Sequence, residues 1–444
     1  MERPSLTRRV CAAGALLTGA AAVAVGIAVL VRNPVQLVIA VLLIGIAIGA
    51  AWAALVRRGV RRFLAATVAV VAIAATVALP DLRTWVALPL VIGLVVICAV
   101  LTRLAIGHDL SPKRTTVEVP PARRGVLIMN PWSGGGKVAK FDLEEKARRA
   151  GVTPVLLRRG DDLRALAEKA IADGADVLGM AGGDGSQAVV ADVASRRGVA
   201  FVCVPAGTRN HFALDLGLDR ENVAAALDAY GPDAVEWRID LGMLGDRVFV
   251  NNASLGVYAT VVQSAGYRDA KVATMAQQLP DLLGPDAERP DLRFVGPDGK
   301  PAPTADVVLV SNGAYRLDHL AGFGTRERMD AGVLGLVTLT VDRAGDMPAL
   351  VTAEATGQLS RFRGYRAWTA SGFVVDSAEP LVDVGVDGEA LKLPPPLVFR
   401  SRPGALRVRV PANAPGAPPA AIAPRGAWRA LVALLLVLTG QPAR

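Results

Sequence analysis

The sequence predicts an α/β domain followed by an antiparallel β-sandwich-like domain, the pair preceded by four transmembrane α-helices. Three observations carry that expectation. Four apolar runs without a charge fill the first hundred residues. From residue 124, strand-like and helix-like stretches alternate. From about Trp237, strand-like stretches dominate, separated by turn signals such as "GPDGK". Alternating β and α segments imply a parallel sheet covered on both faces, and successive short strands with turns imply an antiparallel one. The expected boundaries are 1–107 for the membrane region, 108–123 for a polar, Pro-containing linker, 124–235 for the α/β domain, 236–411 for the β-rich domain, and 412–444 for a Pro/Ala linker with a short apolar helix.

The composition supports the first element. Of 444 residues 52% are hydrophobic, and the mean hydropathy is +0.39. A soluble chain of this size is rarely so apolar, so part of it belongs in lipid. The runs cover 10–31, 35–56, 63–79 and 86–101. A helix needs ~20 apolar residues to cross a bilayer, with ~17 as the lower limit, which the third run only just meets. Arg3, Arg8 and Arg9 precede the first run. Arg57, Arg58, Arg61 and Arg62 sit between the second and third. Arg103, Lys113, Arg114, Arg123 and Arg124 follow the fourth, while the other two connections hold only Arg32 and Arg83. The positive-inside rule then puts the N-terminus and everything after residue 107 in the cytoplasm, with the chain multi-pass in the cell membrane. A cleaved signal peptide is the alternative for the first run, which lacks a clean small-residue cleavage site.

Residues 1–124 hold 14 Lys and Arg against 4 Asp and Glu, more than the net +9 of the whole chain. The basic charge therefore belongs to the membrane region and gives no reason to expect a nucleic-acid partner. Cys11, Cys98 and Cys203 lie in apolar stretches without a CxxC or a Cys/His cluster, so zinc is not expected.

In the α/β domain "GVLIM", "TPVLL", "ADVLGM" and "AFVCVP" read as strands. Helices are expected over 138–150, 161–172, 186–196 and 221–229. In the β-rich domain the strands are "RVFVNNASLG", "DLRFVG", "ADVVLVSNG", "VLGLVTLTV", "GFVVDS", "PLVDVGVDG", "LVFR" and "LRVRV", interrupted by helices over 258–283 and near 347–359. The last apolar run, "AWRALVALLLVLTG", is too short to span; it reads equally as an interfacial or a docking helix.

Three polar, glycine-rich stretches follow strands. "NPWSGGGK" (130–137) is not a P-loop, because Pro131 stands where the first glycine belongs and Val138 where a Ser or Thr would bind Mg²⁺. Its backbone N–H groups can still face an anion. "AGGDGS" (181–186) lets backbone approach a ligand closely, and Asp184 can reach a Mg²⁺ held on phosphates. "PAGTRN" (205–210) follows the next strand. In open parallel sheets ligands bind beyond the carboxyl ends of the strands, where all three stretches sit.

"NPWSGGGK", "GGDGS", "PAGTRNHFALDLGL", "MDAGVL" and "VDGEAL" occur in the order found in the diacylglycerol kinase catalytic-domain family, which the chain resembles over about residues 123–410. "GGDG" alone is less specific, since NAD kinases share it. The resemblance implies an α/β nucleotide-binding domain and a β-sandwich-like domain with ATP between them. It implies that Asn130, Ser133, Gly134, Gly183, Asp184, Gly185, Ser186 and Thr208 line the nucleotide phosphates. It makes Asp387 the general base, Glu389 a nucleotide-contacting acid, and Asp184 and Asp330 the metal-linked acids, with ATP and Mg²⁺ as cofactors. Departures are Ala188 and Val189 where polar groups are usual, His211 where an acid is usual, and Ala331 beside Asp330 where the pair is usually acidic. These weaken a structural Mg²⁺ site most.

The function so implied is a membrane-anchored lipid kinase that transfers the ATP γ-phosphate to a lipid hydroxyl, with diacylglycerol as the default acceptor. A lipid in the membrane and ATP are then the partners. The alternative is a nucleotide- or lipid-binding membrane protein with regulatory function and weak or no kinase activity.

Overall fold

The computed structural model describes residues 4–32, 82–110, 116–257, 289–302, 304–317, 326, 328–341, 346–355, 358–414 and 427–443, with scattered positions between 42 and 72. The chain divides into two compact units, one of residues 1–111 with 423–444 and the other of 112–422.

The first unit contains helices Leu6–Arg32 (α1) and Leu82–Leu110 (α2). Their segments Leu6–Ala28 and Pro89–Gly107, of mean hydropathy 2.1 and 2.5, are long and apolar enough to cross a membrane. They correspond to the first and fourth expected spans. The second and third lie outside the described residues except at scattered positions, so among the described residues two apolar helices of this length are found, against the four expected. The C-terminal helix Ala427–Leu438 buries Ala433, Leu434 and Val437 and packs on α1 and α2. At ~1.5 Å per residue its length is ~18 Å, short of the ~30 Å of a bilayer core. Two consecutive arginines of α1 bind carbonyls of its neighbours: Arg8 Nε donates to the Ala105 carbonyl (2.9 Å) and Arg9 Nε to the Leu438 carbonyl (3.1 Å). Leu438 ends its helix, and a cation there is favourable because the last carbonyls of a helix carry partial negative charge.

The second unit opens with the edge strand Val117–Glu118 (β1) and then alternates. Strand Gly125–Met129 (β2) leads through a short helical turn into helix Leu143–Arg149 (α3). The sequence suggests one helix over 138–150, but Asp142 adopts a left-handed conformation (φ 51°) and breaks it. Strand Thr153–Leu156 (β3) leads to helix Leu163–Ala172 (α4), whose N-cap Asp162 accepts from the backbone N–H of Arg164 and Ala165. Strand Val177–Gly182 (β4) leads to helix Asp184–Arg197 (α5), ended by Gly198 at φ 67°. Strand Ala200–Pro205 (β5) leads to the short helix His211–Asp215 (α6) and a 3₁₀ segment, Val223–Tyr230, where an α-helix is expected. β2 to β5 pair in parallel in the order β3-β2-β4-β5. β2 shows why the runs are continuously apolar: Leu127 and Met129 enter one buried cluster and Ile128 the cluster on the opposite face.

The chain continues through strands Ala234–Leu244 (β6), Arg247–Phe249 (β7), Asn252–Gly256 (β8), Phe294–Val295 (β9), Pro301–Ala302 (β10), Val307–Asn312 (β11) and Leu334–Leu339 (β12). Helix Asp346–Ala355 (α7) precedes strands Tyr365–Ala370 (β13), Gly372–Val375 (β14), Val382–Val386 (β15), Glu389–Leu393 (β16) and Leu397–Pro411 (β17). The expected helix over 258–283 lies outside the described residues. A six-stranded sheet, β13-β12-β11-β8-β15-β16, is antiparallel throughout. Its two faces are apolar: Ala253, Leu255, Val308 and Val310 pack with Phe249, Phe373 and Phe399, while Val307 and Leu309 pack with Leu350 and Leu359.

β6 and β17 do not belong to that sheet. They extend the parallel sheet of β2 to β5, with β17 parallel to β5 (Val408 opposite Phe201) and antiparallel to β6. "LVFR" and "LRVRV", which read as two strands, are one 15-residue strand with a register shift between Arg402 and Leu406. Leu397 and Phe399 at the start of β17 pack with the six-stranded sheet, and Leu406, Val408 and Val410 at its end with the parallel one.

Candidate active site

Three loops at the carboxyl ends of β2, β4 and β5 meet through glycines. Gly134 lies at φ 57°, and a Cβ there would stand 2.3 Å from the Ala206 carbonyl oxygen. A Cβ on Gly207 would stand 2.4 Å from the Gly183 Cα. No other residue type allows backbones this close. Asn210 fixes the third loop from a left-handed conformation (φ 52°): its Nδ2 donates to the carbonyls of Pro205 (3.0 Å) and Gly207 (2.8 Å), and its Oδ1 accepts from the Gly207 N–H (2.8 Å).

Asp184 opens α5 and reaches across to α6. Its carboxylate accepts the backbone N–H of His211 (3.0 Å) and Phe212 (3.2 Å). The β15–β16 turn delivers the second carboxylate. Asp387 sits there at φ 48°, and its two oxygens accept the backbone N–H groups of Val250 (2.8 Å), Asn251 (2.8 Å) and Asn252 (3.1 Å). Asn210 and Asp387 are two of the three non-glycine residues with positive φ among the described residues. Such strained positions concentrate at functional sites.

These parts enclose a cleft of about 480 Å³. Asn130, Ser133, Gly134, Gly183, Asp184, Gly185, Ser186, Thr208, Asp387 and Glu389 all line it, so the structure brings together ten of the eleven residues singled out in the sequence. Asp330 is the exception. It does not line the cleft and instead takes the guanidinium of Arg328, Nε to Oδ1 2.8 Å. Lys137 of the first loop is also absent from the lining. One wall is apolar, made by Val307, Leu309, Tyr315 and Leu317.

Electrostatics separate the titratable groups. Burial pushes Asp387 up to about 8, helped by the like charge of Asp184 and opposed by its three N–H donors. Burial also raises Asp184, to about 6, against the N–H groups of Phe212 and His211. His211 is pushed down to about 3 by burial and by the charges of Arg326, Arg209 and Arg220, so its imidazole is neutral at pH 7. Arg209 is then the cationic side chain of the described lining.

The described residues include no group of three or more His, Cys, Asp or Glu placed to hold a metal. The oxygens of Asp184 and Asp387 are already engaged by backbone N–H groups. A protein-caged Mg²⁺ does not fit this set. A Mg²⁺ carried on nucleotide phosphates needs only one or two carboxylates, and Asp184, Asp387 and Glu389 are the carboxylates that line the cleft.

Sequence reasoning missed Asn251, Asn252 and Arg326, and had Asn210 only as the last residue of the third loop. The signal for the first two was present: consecutive asparagines interrupt the apolar strand "RVFVNNASLG", a place where Asn is disfavoured. The structure splits that stretch into β7 and β8 and uses the break to bind Asp387.

Residues 124–243 match the diacylglycerol kinase catalytic domain. The chain is 33% identical over 267 residues to a probable lipid kinase YegS-like of Pseudomonas aeruginosa, covering 57% of this chain and 83% of that protein. It is 35% identical over 123 residues to a diacylglycerol kinase of Mycobacterium tuberculosis, covering 27% of this chain and 40% of that one. A crystal structure of a putative diacylglycerol kinase from Bacillus anthracis str. Sterne shares the fold at TM-score 0.53 and 18% identity, covering 65% of this chain and 96% of that one. The chain is a kinase of the diacylglycerol kinase catalytic-domain family.

Proposed function

We propose that the protein transfers the γ-phosphate of ATP to the hydroxyl of a membrane lipid, with diacylglycerol as the first acceptor to expect and phosphatidic acid as the product. The observation that carries this reading is the cleft itself. Three phosphate-type loops from the parallel sheet and two carboxylates from the antiparallel sheet, Asp387 and Glu389, line the same space. Asn130, Ser133, Thr208, the glycine backbones and the N-terminus of α5 hold the phosphates. Asp387 takes the proton of the lipid hydroxyl as its oxygen bonds to the γ-phosphorus. The bond to the β–γ bridging oxygen breaks, ADP leaves, and the proton passes from Asp387 to solvent. The acyl part of the acceptor suits the wall of Val307, Leu309, Tyr315 and Leu317. Asp184, which lines the cleft, is the carboxylate that would hold a Mg²⁺ brought by the nucleotide, and such an ion would supply charge neutralisation at the transferring phosphoryl group.

α1 and α2 serve as membrane spans in this reading, with two more from 35–56 and 63–79. The arginine-rich flanks put the catalytic unit on the cytoplasmic side, where ATP is. Ala188, a departure from the family pattern, packs into the buried core of the α/β layer and leaves the phosphate loops intact, which favours an active kinase over a purely regulatory protein.

The test is purified full-length protein with radiolabelled ATP in lipid–detergent micelles, offered diacylglycerol, sphingoid, isoprenoid and glycolipid acceptors. Labelled phosphatidic acid is the expected product. ATP binding without transfer to any of the lipids refutes the kinase reading, and transfer to another acceptor replaces diacylglycerol.

A further inference from the structure

Arg326 lies in "GTRERMD", a stretch that reads as a solvated charged loop, yet it is only 2% exposed. Its guanidinium is used on every side. Nη1 pairs with Asp215, itself 6% exposed. Nη2 donates to the carbonyl of Asn251 and to its Oδ1 (2.6 Å). Nε donates to Ser311 Oγ (3.1 Å), and the plane lies 4.9 Å from the centre of the Tyr315 ring. These partners come from α6, from the segment before β8, from β11 and from the segment after it.

Two of the partners also hold the carboxylates of the cleft. Asp215 ends α6, and the first N–H groups of the same helix bind Asp184. The Asn251 N–H binds Asp387 (2.8 Å). An unbroken path therefore runs from Asp184 through α6 and Asp215 to Arg326, and from there through Asn251 to Asp387. α6 is five residues long, a rod of only ~6 Å from first to last Cα. One side of the path belongs to the phosphate loops and the other to the turn that carries the base.

We infer that Arg326 is a positioning residue: by tying α6 to Asn251 it sets the spacing between the phosphate-side carboxylate Asp184 and the base Asp387. This rests on the kinase reading above. Arg326 does not line the cleft, so it acts through Asn251 and α6 rather than on the substrate. Arginine suits the task because its planar fork engages several acceptors at fixed angles, which an ammonium cannot do. The consequence is kinetic. A displacement of ~1 Å between reacting groups costs ~10²-fold in rate, whereas the loops that bind the nucleotide phosphates are held by their own contacts at Gly134, Gly207 and Asn210.

The experiment uses the full-length protein in micelles and compares Arg326→Met, Arg326→Lys and the double variant Asp215→Leu/Arg326→Met. It measures kcat for labelled lipid, the Kd for ATP, and Tm. Arg326→Met takes the guanidinium away from the buried Asp215 carboxylate and is expected to lose stability; the double variant replaces the buried ion pair by apolar groups and is expected to regain it, as such replacements commonly do. Positioning predicts that the refolded double variant still transfers phosphate ~30- to 100-fold more slowly, with the Kd for ATP within ~3-fold. Arg326→Lys keeps the charge beside Asp215 and is expected to fold, bind ATP and lose at least ~10-fold in kcat. A folded double variant or Arg326→Lys with kcat near wild type makes the arginine merely structural and overturns the inference. So does a loss in ATP affinity as large as the loss in kcat. A wild-type chain that labels no lipid overturns the kinase reading and this inference with it, an outcome distinct from active wild type with active variants.

Discussion

The raised affinity of Asp387 for its proton makes a prediction that an ordinary carboxylate would not. Burial and the neighbouring Asp184 bring it to about 8, and the N–H groups of Val250, Asn251 and Asn252 pull the other way. A general base must be ionised before it can accept a proton. At pH 7 a group of this kind is ~10% ionised and at pH 9 ~90%, so kcat/KM is expected to rise ~10-fold across that range. A carboxylate at its reference value of ~3.9 would give a flat profile over the same interval. The assay is initial-rate transfer of label to lipid at limiting ATP, from pH 6 to 9.5 in buffers of constant ionic strength. Asp387→Asn should remove ~10²- to 10⁴-fold of the rate and abolish the rise.

Asp184→Asn removes the like charge while keeping an oxygen for the His211 and Phe212 N–H groups, so the midpoint of the remaining activity should move to lower pH. The same shift has a stability counterpart. Because the folded-state value is raised above the unfolded one, the contribution of Asp387 to stability is complete below ~4 and is lost as pH rises through about 8. Thermal stability of the nucleotide-free protein should fall over that window more for wild type than for Asp387→Asn. A flat rate profile between pH 6 and 9, or Asp387→Asn within ~3-fold of wild type, would refute the assignment of the base.

Other substitutions test the remaining parts of the structure. Gly134→Ala forces a left-handed alanine, at a cost of ~1–2 kcal/mol, and drives its Cβ against the Ala206 carbonyl; ATP affinity should fall at least ~10-fold by calorimetry. Tyr230→Phe removes the hydroxyl that donates to the Val126 carbonyl (3.0 Å) in the buried cluster under β2, and denaturant melts should show ~1 kcal/mol lost with kcat unchanged. Arg9→Ala removes the cation from the C-terminal end of the last helix, worth ~0.3–1 kcal/mol, so hydrogen exchange over 427–438 should quicken while transfer by the catalytic unit persists.

How much of this was legible in the sequence depends on whether the cause was local. The parallel strands were legible because both faces are buried, which writes a continuous apolar run such as "GVLIM". The phosphate-side loops were legible because a left-handed backbone or a close approach demands glycine, and Gly134 and Gly207 show in the sequence in polar stretches just after strands. β17 was not, since its pairing with β5 joins residues some two hundred apart and its register shift makes one strand look like two. Arg326 was illegible for a different reason. An arginine between a threonine and a glutamate in a glycine-containing stretch has the pattern of a solvated loop, and only the folded chain supplies the carboxylate, carbonyl, hydroxyl and ring that repay its desolvation. The loops that bind phosphate are written locally because backbone geometry is local. The spacing between those loops and the base is a property of two sheets, and the residue that sets it is recognisable only by its burial.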